Sequence, residues 1–127
     1  MANNVYWEDI EVGYEIPKWT RKTDFMHWNR YAAVNDEFVY IHMDDEAGRA
    51  GANEQGAFGM GNLRFAYLHN MLRDWAGDEA WVKTVGLQYR AINQKNDILV
   101  DNDGCKLHGN IEICCNTVKF YEFSHHQ

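Results

Sequence analysis

The sequence predicts an α+β fold in which a curved antiparallel sheet packs against one long helix. Three observations carry this expectation. Apolar residues recur at helical spacing through the first half of the chain. One segment, over about residues 60–75, is apolar on most sides of a helix, the pattern of a buried helix. After it the hydrophobic period changes to two, the mark of strands.

Taken in order, residues 1–20 hold the aromatic anchors Tyr6, Trp7 and Trp19 around the turn signal Val12-Gly13. They read as an irregular segment with a short strand. Thr23 is the expected cap of a helix over about 24–35, where Phe25, Trp28 and Ala32 form an apolar stripe. A short helix follows, capped by Asp44 or Asp45 and stopped near Gly51. The glycine-rich stretch ANEQGAFGMG, residues 52–61, leads into the long helix. There Leu63, Ala66, Tyr67, Asn70, Met71 and Asp74 lie along one side, Phe65, Leu68, Leu72 and Trp75 widen the apolar surface, and Gly77 ends it. In VKTVGLQYRA, Val85, Leu87, Tyr89 and Ala91 alternate with Thr84, Gly86, Gln88 and Arg90, which predicts a strand. Ile98-Leu99-Val100 runs into the turn signal Asp101-Asn102-Asp103-Gly104. A last strand is expected over 111–120, with Ile111, Ile113 and Cys115 on one face.

Composition narrows the function classes. The chain has 127 residues, which fits one domain over 1–127. Apolar residues make up 46%, enough for a core without disulfides or metals. The formal charge of −7 argues against a nucleic-acid partner, because an acidic surface repels phosphates. Cys105, Cys114 and Cys115 are odd in number and two are adjacent, so no disulfide framework is expected and a reduced, cytoplasmic setting is. No targeting peptide is expected at MANNVYWEDIEVG, and no apolar run approaches the ~20 residues of a membrane span. No CxxC or HExxH pattern occurs, so no metal site is expected. GMGNLR lacks the Lys-Ser/Thr ending of a phosphate loop.

The densest polar cluster is Asn35, Asp36, Glu37, His42, Asp44, Asp45 and Glu46, about fifteen residues ahead of the glycine-rich helix entrance. A carboxylate and an imidazole that share one water can add it across a double bond, one taking a proton and the other supplying one to carbon. An enolate that develops on a thioester needs N–H donors, and a glycine-opened helix N-terminus supplies them with favourable dipole sign. A second reading fits the same residues. The acids cap helices or face solvent, the histidine is structural, and Gly56, Gly59 and Gly61 serve tight turns or close packing. His27 and His69 fall on helices, and His125 and His126 end the chain.

Several segments together resemble the MaoC-like hot-dog-fold dehydratases and (R)-specific enoyl-CoA hydratases. YWEDIEVGYEIP is similar to the opening of many of these proteins. NDEFVYIHMDDEAGRAG resembles the hydratase signature, in which an Asp precedes a His by five residues, followed by x-Asp and an Ala-rich helix. GAFGMGNLRFAYLHNMLRDWAGDEAWVKTVGLQYRAIN is similar to the hot-dog helix and first long strand. The resemblance covers roughly residues 5–100, and the ending from about 101 is atypical.

The resemblance implies a hot-dog fold, an antiparallel curved sheet wrapped around a long central helix. It implies interconversion of trans-2-enoyl and 3-hydroxyacyl thioesters by addition and elimination of water. His42 matches the family's catalytic histidine, and Glu37 falls where the family has Asp. Asp36, where Gly is usual, is an alternative through a one-residue shift. Gly61 matches the glycine whose N–H holds the thioester oxygen, helped by the backbone of Gly59, Met60 and Asn62, and Met60 stands where His is frequent. The acyl chain is expected near Leu63 and Tyr67, and Asp44 is the expected cap of the next helix. No metal or cofactor is implied beyond coenzyme A as part of the substrate. A homodimer, or a heteromer with another hot-dog subunit, is the implied assembly. Two other functions stay open: a non-catalytic or partner-dependent subunit that binds acyl-CoA, and a hot-dog thioesterase using Glu54 ahead of the helix.

Overall fold

The computed structural model describes residues 5–87, 89, 91–101, 106–108, 112–115 and 118–124. In chain order these form strand β1 (Trp19–Lys22), helices α1 (Phe25–Asn35), α2 (Asp45–Ala50) and α3 (Gly61–Ala76), and strands β2 (Trp81–Leu87), β3 (Ile98–Asp101), β4 (Lys106–His108), β5 (Glu112–Cys115) and β6 (Val118–Ser124). Single 3₁₀ turns occur at Trp7–Asp9 and Tyr40–His42. The architecture is α+β, as expected. Among the described residues, no helix is long and apolar enough to cross a membrane, and no group of His, Cys, Asp or Glu is arranged to hold a metal.

Two compact units divide the chain. The first comprises Met1–Trp19, Tyr67–Arg90 and Val100–Gln127, and the second Thr20–Ala66 and Ala91–Leu99.

In the second unit, α1 starts where Asp24, not Thr23, accepts hydrogen bonds from the N–H groups of Met26 and His27, at 3.0 and 3.4 Å. The carboxylate complements the helix dipole and meets the imidazole of His27 at 2.8 Å. That contact holds the Asp24 carboxyl below its usual range. Thr23 is buried instead, and its backbone bonds to Asp97 and Asn96. The predicted stripe on α1 forms, with Trp28 and Ala32 fully buried and Phe25 edge-on to Trp28 at 5.5 Å. Asp44 caps α2 through the N–H of Ala47 at 2.8 Å, and Gly51 closes it.

In the first unit, α3 turns Leu68, Met71, Leu72, Trp75 and Ala76 into the core. The expectation of a helix buried nearly all round is corrected. Asn62, His69, Asn70, Arg73 and Asp74 are exposed and give α3 a polar side. Gly77, at φ 87°, donates to the carbonyl of Arg73 and ends the helix. Tyr14 tilts against Trp75 at 6.0 Å, and the indole of Trp19 donates to Asp74 at 2.9 Å.

The four-stranded sheet has the order β2-β6-β5-β4, and a second sheet pairs β1 with β3. Adjacent strands of the larger sheet are antiparallel, with Val85 opposite Phe120, Ile113 opposite Phe120 and Leu107 opposite Ile113. The single strand expected over 111–120 is corrected: β5 and β6 are separate strands that pair with each other, Cys115 opposite Val118. The strand expected over VKTVGLQYRA begins at Trp81 and ends at Leu87. The atypical C-terminal segment thus contributes β4, β5 and β6 to this sheet. The turn residues Asn102, Asp103 and Gly104, and His125 and His126, lie outside the described residues.

Candidate active site

The polar cluster and the glycine-rich loop belong to the same compact unit. Four consecutive N–H groups of the loop are each bonded. Gly56 donates to the carbonyl of Asn53 at 2.9 Å, Phe58 to that of Ile41 at 3.4 Å, and Gly59 to that of Asn93 at 2.9 Å. Ala57 donates to the carboxylate of Asp45 at 2.9 Å. Gly56 has φ 103°, a conformation that favours glycine, and a Cβ there would collide with the Asp45 carboxylate. The loop is therefore fixed before any ligand arrives.

Lys95 contacts both carboxylate oxygens of Asp45 at 2.7 Å and lies 4.8 Å from the centre of the Phe25 ring. The Lys95 ammonium, and then the Ala57 N–H, hold the Asp45 carboxyl below its usual range. Asn53 and Gln94 exchange side-chain amide bonds at 2.9 and 3.0 Å, and Asn53 also donates to the carbonyl of Gly56. Buried Asn93 reaches the Thr23 hydroxyl at 3.2 Å. Arg64 on α3 donates to the carbonyl of Ala91 at 2.7 Å. The sequence reading missed this brace of Asp45, Asn53, Asn93, Gln94 and Lys95. Its only visible signal was the polar run NQKND after β2.

The imidazole of His42 is half-buried, edge-on to the Phe58 ring at 4.9 Å. Its Nδ1 lies 2.8 Å from the carbonyl oxygen of Phe58. A carbonyl oxygen has no hydrogen to give, so Nδ1 carries the proton and donates. In the neutral ring Nε2 is then the proton acceptor.

Glu37 is half-buried, and its Oε1 accepts from the side-chain amide of Asn62 at 2.9 Å. Asn62 is the second residue of α3. Both His42 and Glu37 are thus tied to the same short stretch, one to Phe58 and the other to Asn62. Asp36 plays a different part. It closes α1 in the left-handed conformation, φ 52°, with its N–H on the carbonyl of Ala32 and its side chain exposed. Burial pushes the Tyr31 phenol up, and the charge of Glu37 adds to the shift.

Of the expected oxygen-binding backbone, the Gly59 N–H is occupied by Asn93. At the entrance of α3 the N–H of Arg64 donates to the carbonyl of Met60 at 3.3 Å. Gly61, Asn62 and Leu63 form the first turn, at the positive end of the helix dipole. The side chains of Met60 and Leu63 are buried, 1% and 6% exposed. Tyr67 belongs to the other unit, where its ring tilts against Trp19 at 5.6 Å. Glu54 is exposed in the loop after α2.

No family model and no curated protein matches the sequence. Solved structures do. The ChsH1-ChsH2 complex from Mycobacterium tuberculosis matches with a TM-score of 0.70 and 19% identity, over 91% of this chain and 98% of the other. The R-hydratase PhaJ1 from Pseudomonas aeruginosa matches with a TM-score of 0.67 and 15% identity, over 87% and 71%. A monoamine oxidase regulatory protein from Archaeoglobus fulgius matches with a TM-score of 0.68 and 15% identity, over 100% and 99%. These are hot-dog proteins. The likeness shows the hot-dog fold and, at such identities, nothing finer.

Proposed function

We propose that this chain is a single hot-dog domain that hydrates trans-2-enoyl thioesters, and dehydrates 3-hydroxyacyl thioesters, on coenzyme A. The observation that carries the reading is the bond from His42 Nδ1 to the Phe58 carbonyl, which leaves Nε2 as a proton acceptor on a ring tied to the loop that opens α3. The carboxylate of Glu37 is anchored at the first turn of that helix. Hydration needs these parts: a base, a proton donor and a set of N–H groups for a developing oxyanion.

In the forward direction His42 and Glu37 hold one water between them. As its oxygen bonds to the β-carbon, a proton passes to the base, and the double-bond electrons move onto the thioester oxygen. The first-turn N–H groups of α3, Gly61 foremost, hold that oxygen. The enolate then collapses, taking a proton at the α-carbon from the enzyme. Water is consumed, and no electrons enter or leave, so the chemistry uses coenzyme A only as part of the substrate. The sheet wrapped around α3 and a cytoplasmic setting belong to the same reading. The R-hydratase among the structural neighbours supports it at the level of fold.

A partner-dependent subunit is the second reading. One neighbour was solved as a complex of two different chains. Here Phe38, Val39 and Tyr40, between Glu37 and His42, are 56, 40 and 77% exposed. A second hot-dog chain, or a second copy, would cover such residues.

The test is loss of enoyl-thioester absorbance with crotonyl-CoA and a longer enoyl-CoA, for wild type, Glu37→Gln and His42→Ala. Turnover that collapses in both variants supports the hydratase. A folded wild type inactive on both substrates favours the partner subunit, for which a stable heteromer with a second hot-dog chain is the positive result.

A further inference from the structure

We propose that Asn62 is a positioning residue for Glu37, holding the carboxylate where the shorter side chain of Asp would place it unaided. The proposal rests on the hydratase reading for its catalytic part, but the pairing itself does not.

The argument starts from side-chain length. Glu has one methylene and one rotatable bond more than Asp, so its carboxylate reaches further and samples more positions. A displacement of ~1 Å at a reacting group can cost about 10²-fold in rate. A Glu in this place therefore needs something to choose one rotamer. The amide of Asn62 does so, donating to Oε1 at 2.9 Å. The bond is charge-assisted, which makes it directional and stronger than one between neutral groups. It occupies Oε1 and leaves Oε2 as the oxygen that can face a water.

Stability does not explain the pair. Asn62 is exposed and Glu37 only half-buried. A bond this open to solvent contributes little to folding, because water competes for both partners. Its anchor is better than its exposure suggests. Asn62 sits in the first turn of α3, directly after a loop whose N–H groups at 56–59 are all bonded. The positive end of α3 also favours a carboxylate there. The contact joins residues 25 apart in sequence and fixes Glu37 relative to the N–H groups proposed to hold the thioester oxygen.

This assigns Asn62 a part different from substrate binding, and the two are separable. Kinetics on crotonyl-CoA would compare wild type, Asn62→Ala, Glu37→Asp, and the double variant Glu37→Asp with Asn62→Ala. Asn62→Ala is expected to lower kcat by about 10²-fold in the wild-type background, with KM within about twofold. On top of Glu37→Asp the same change is expected to cost far less, because the shorter side chain does not depend on the Asn62 bond for its position. A raised KM with unchanged kcat in Asn62→Ala would overturn the proposal, as would an Asn62→Ala loss equally large in both backgrounds.

The pairing has its own readout, independent of turnover. The side-chain amide protons of Asn62, followed by NMR, should shift and exchange faster in Glu37→Gln. An Asn62 amide indifferent to that substitution overturns the proposal whatever the activity. A responsive amide in a wild type that hydrates nothing upholds the pairing and removes the hydratase reading.

Discussion

Nδ1 of His42 donates to the carbonyl oxygen of Phe58 across 2.8 Å, and this bond decides which ring nitrogen can take a proton. The Phe58 carbonyl is itself held in place, since the N–H groups of Phe58 and Gly59 are bonded to the carbonyls of Ile41 and Asn93. A base oriented by one bond to a backbone carbonyl, itself held by two backbone bonds, loses little by reorganising during reaction.

His42→Ala should therefore abolish most turnover and leave the fold standing. A general base of this kind contributes about 10²–10⁴-fold to rate. The lost hydrogen bond to a half-buried group is worth about 1 kcal/mol of stability. Enoyl-thioester absorbance and a thermal melt, run on the same sample, check both halves. A variant with wild-type turnover would remove His42 from the mechanism.

Gly48→Ala reverses an ordinary expectation. In an open helix this change favours folding by about 1 kcal/mol, since Ala is the better helix former. Gly48 is buried on α2, where a Cβ would overlap the backbone of Gly56 and Ala57. Backbone cannot step aside as a flexible side chain can. The variant should lose about 1–3 kcal/mol, read as a lower urea midpoint. A stabilised variant would mean that α2 and the loop do not meet in this way.

Gly59→Ala should damage activity more than its size suggests. The new methyl group would fall on the Asn93 side-chain amide. Moving Asn93 disturbs its bond to Thr23 and the carbonyl that holds the Gly59 N–H. Gly59 lies between the residue that accepts from His42 and the first turn of α3. A shift of ~1 Å there predicts about a 10²-fold loss of kcat. Steady-state kinetics on crotonyl-CoA would show it. Unchanged kcat would mean that the loop tolerates the displacement.

The parts legible in the sequence were local ones. α2 could be read because Asp44 and Gly51 bracket six residues with ordinary cap chemistry. α3 could be read because its apolar period is long. The start of α1 was misplaced by one residue because Thr23 and Asp24 are both good caps, and only the fold buries Thr23. The β5–β6 pairing was hidden, because Asn116 and Thr117 between the strands carry no glycine turn signal. The brace behind the site was hidden for another reason. Asp45 and Lys95 are 50 residues apart, and Asn53 and Gln94 are 41 apart. No local spacing encodes such a meeting. His42, Glu37 and Gly61 stood out as candidates, but the partners that orient them did not.

Asp45 gives the brace a pH signature. Its folded pKa lies below the ordinary 3.8, first through Lys95 and then through the Ala57 N–H. A carboxyl depressed in the folded state binds protons more readily when unfolded, so stability falls as pH drops. The contribution is complete above the unfolded value and disappears as pH passes down through the folded one. Asp24, depressed by His27, adds to the same acid limb. Comparison with Asp45→Asn isolates Asp45, because Asp24 is present in both proteins. The amide can still accept from Ala57 but no longer attracts Lys95. The urea midpoint of wild type should exceed that of Asp45→Asn by a constant margin from about pH 7 to about pH 5, and the margin should close below 3.8. Lys95→Met should reduce the margin, since it removes the larger cause of the shift. A margin that stays unchanged as the pH falls from about 5 to below 3.8 would show that the Asp45–Lys95 contact does not brace the loop in solution.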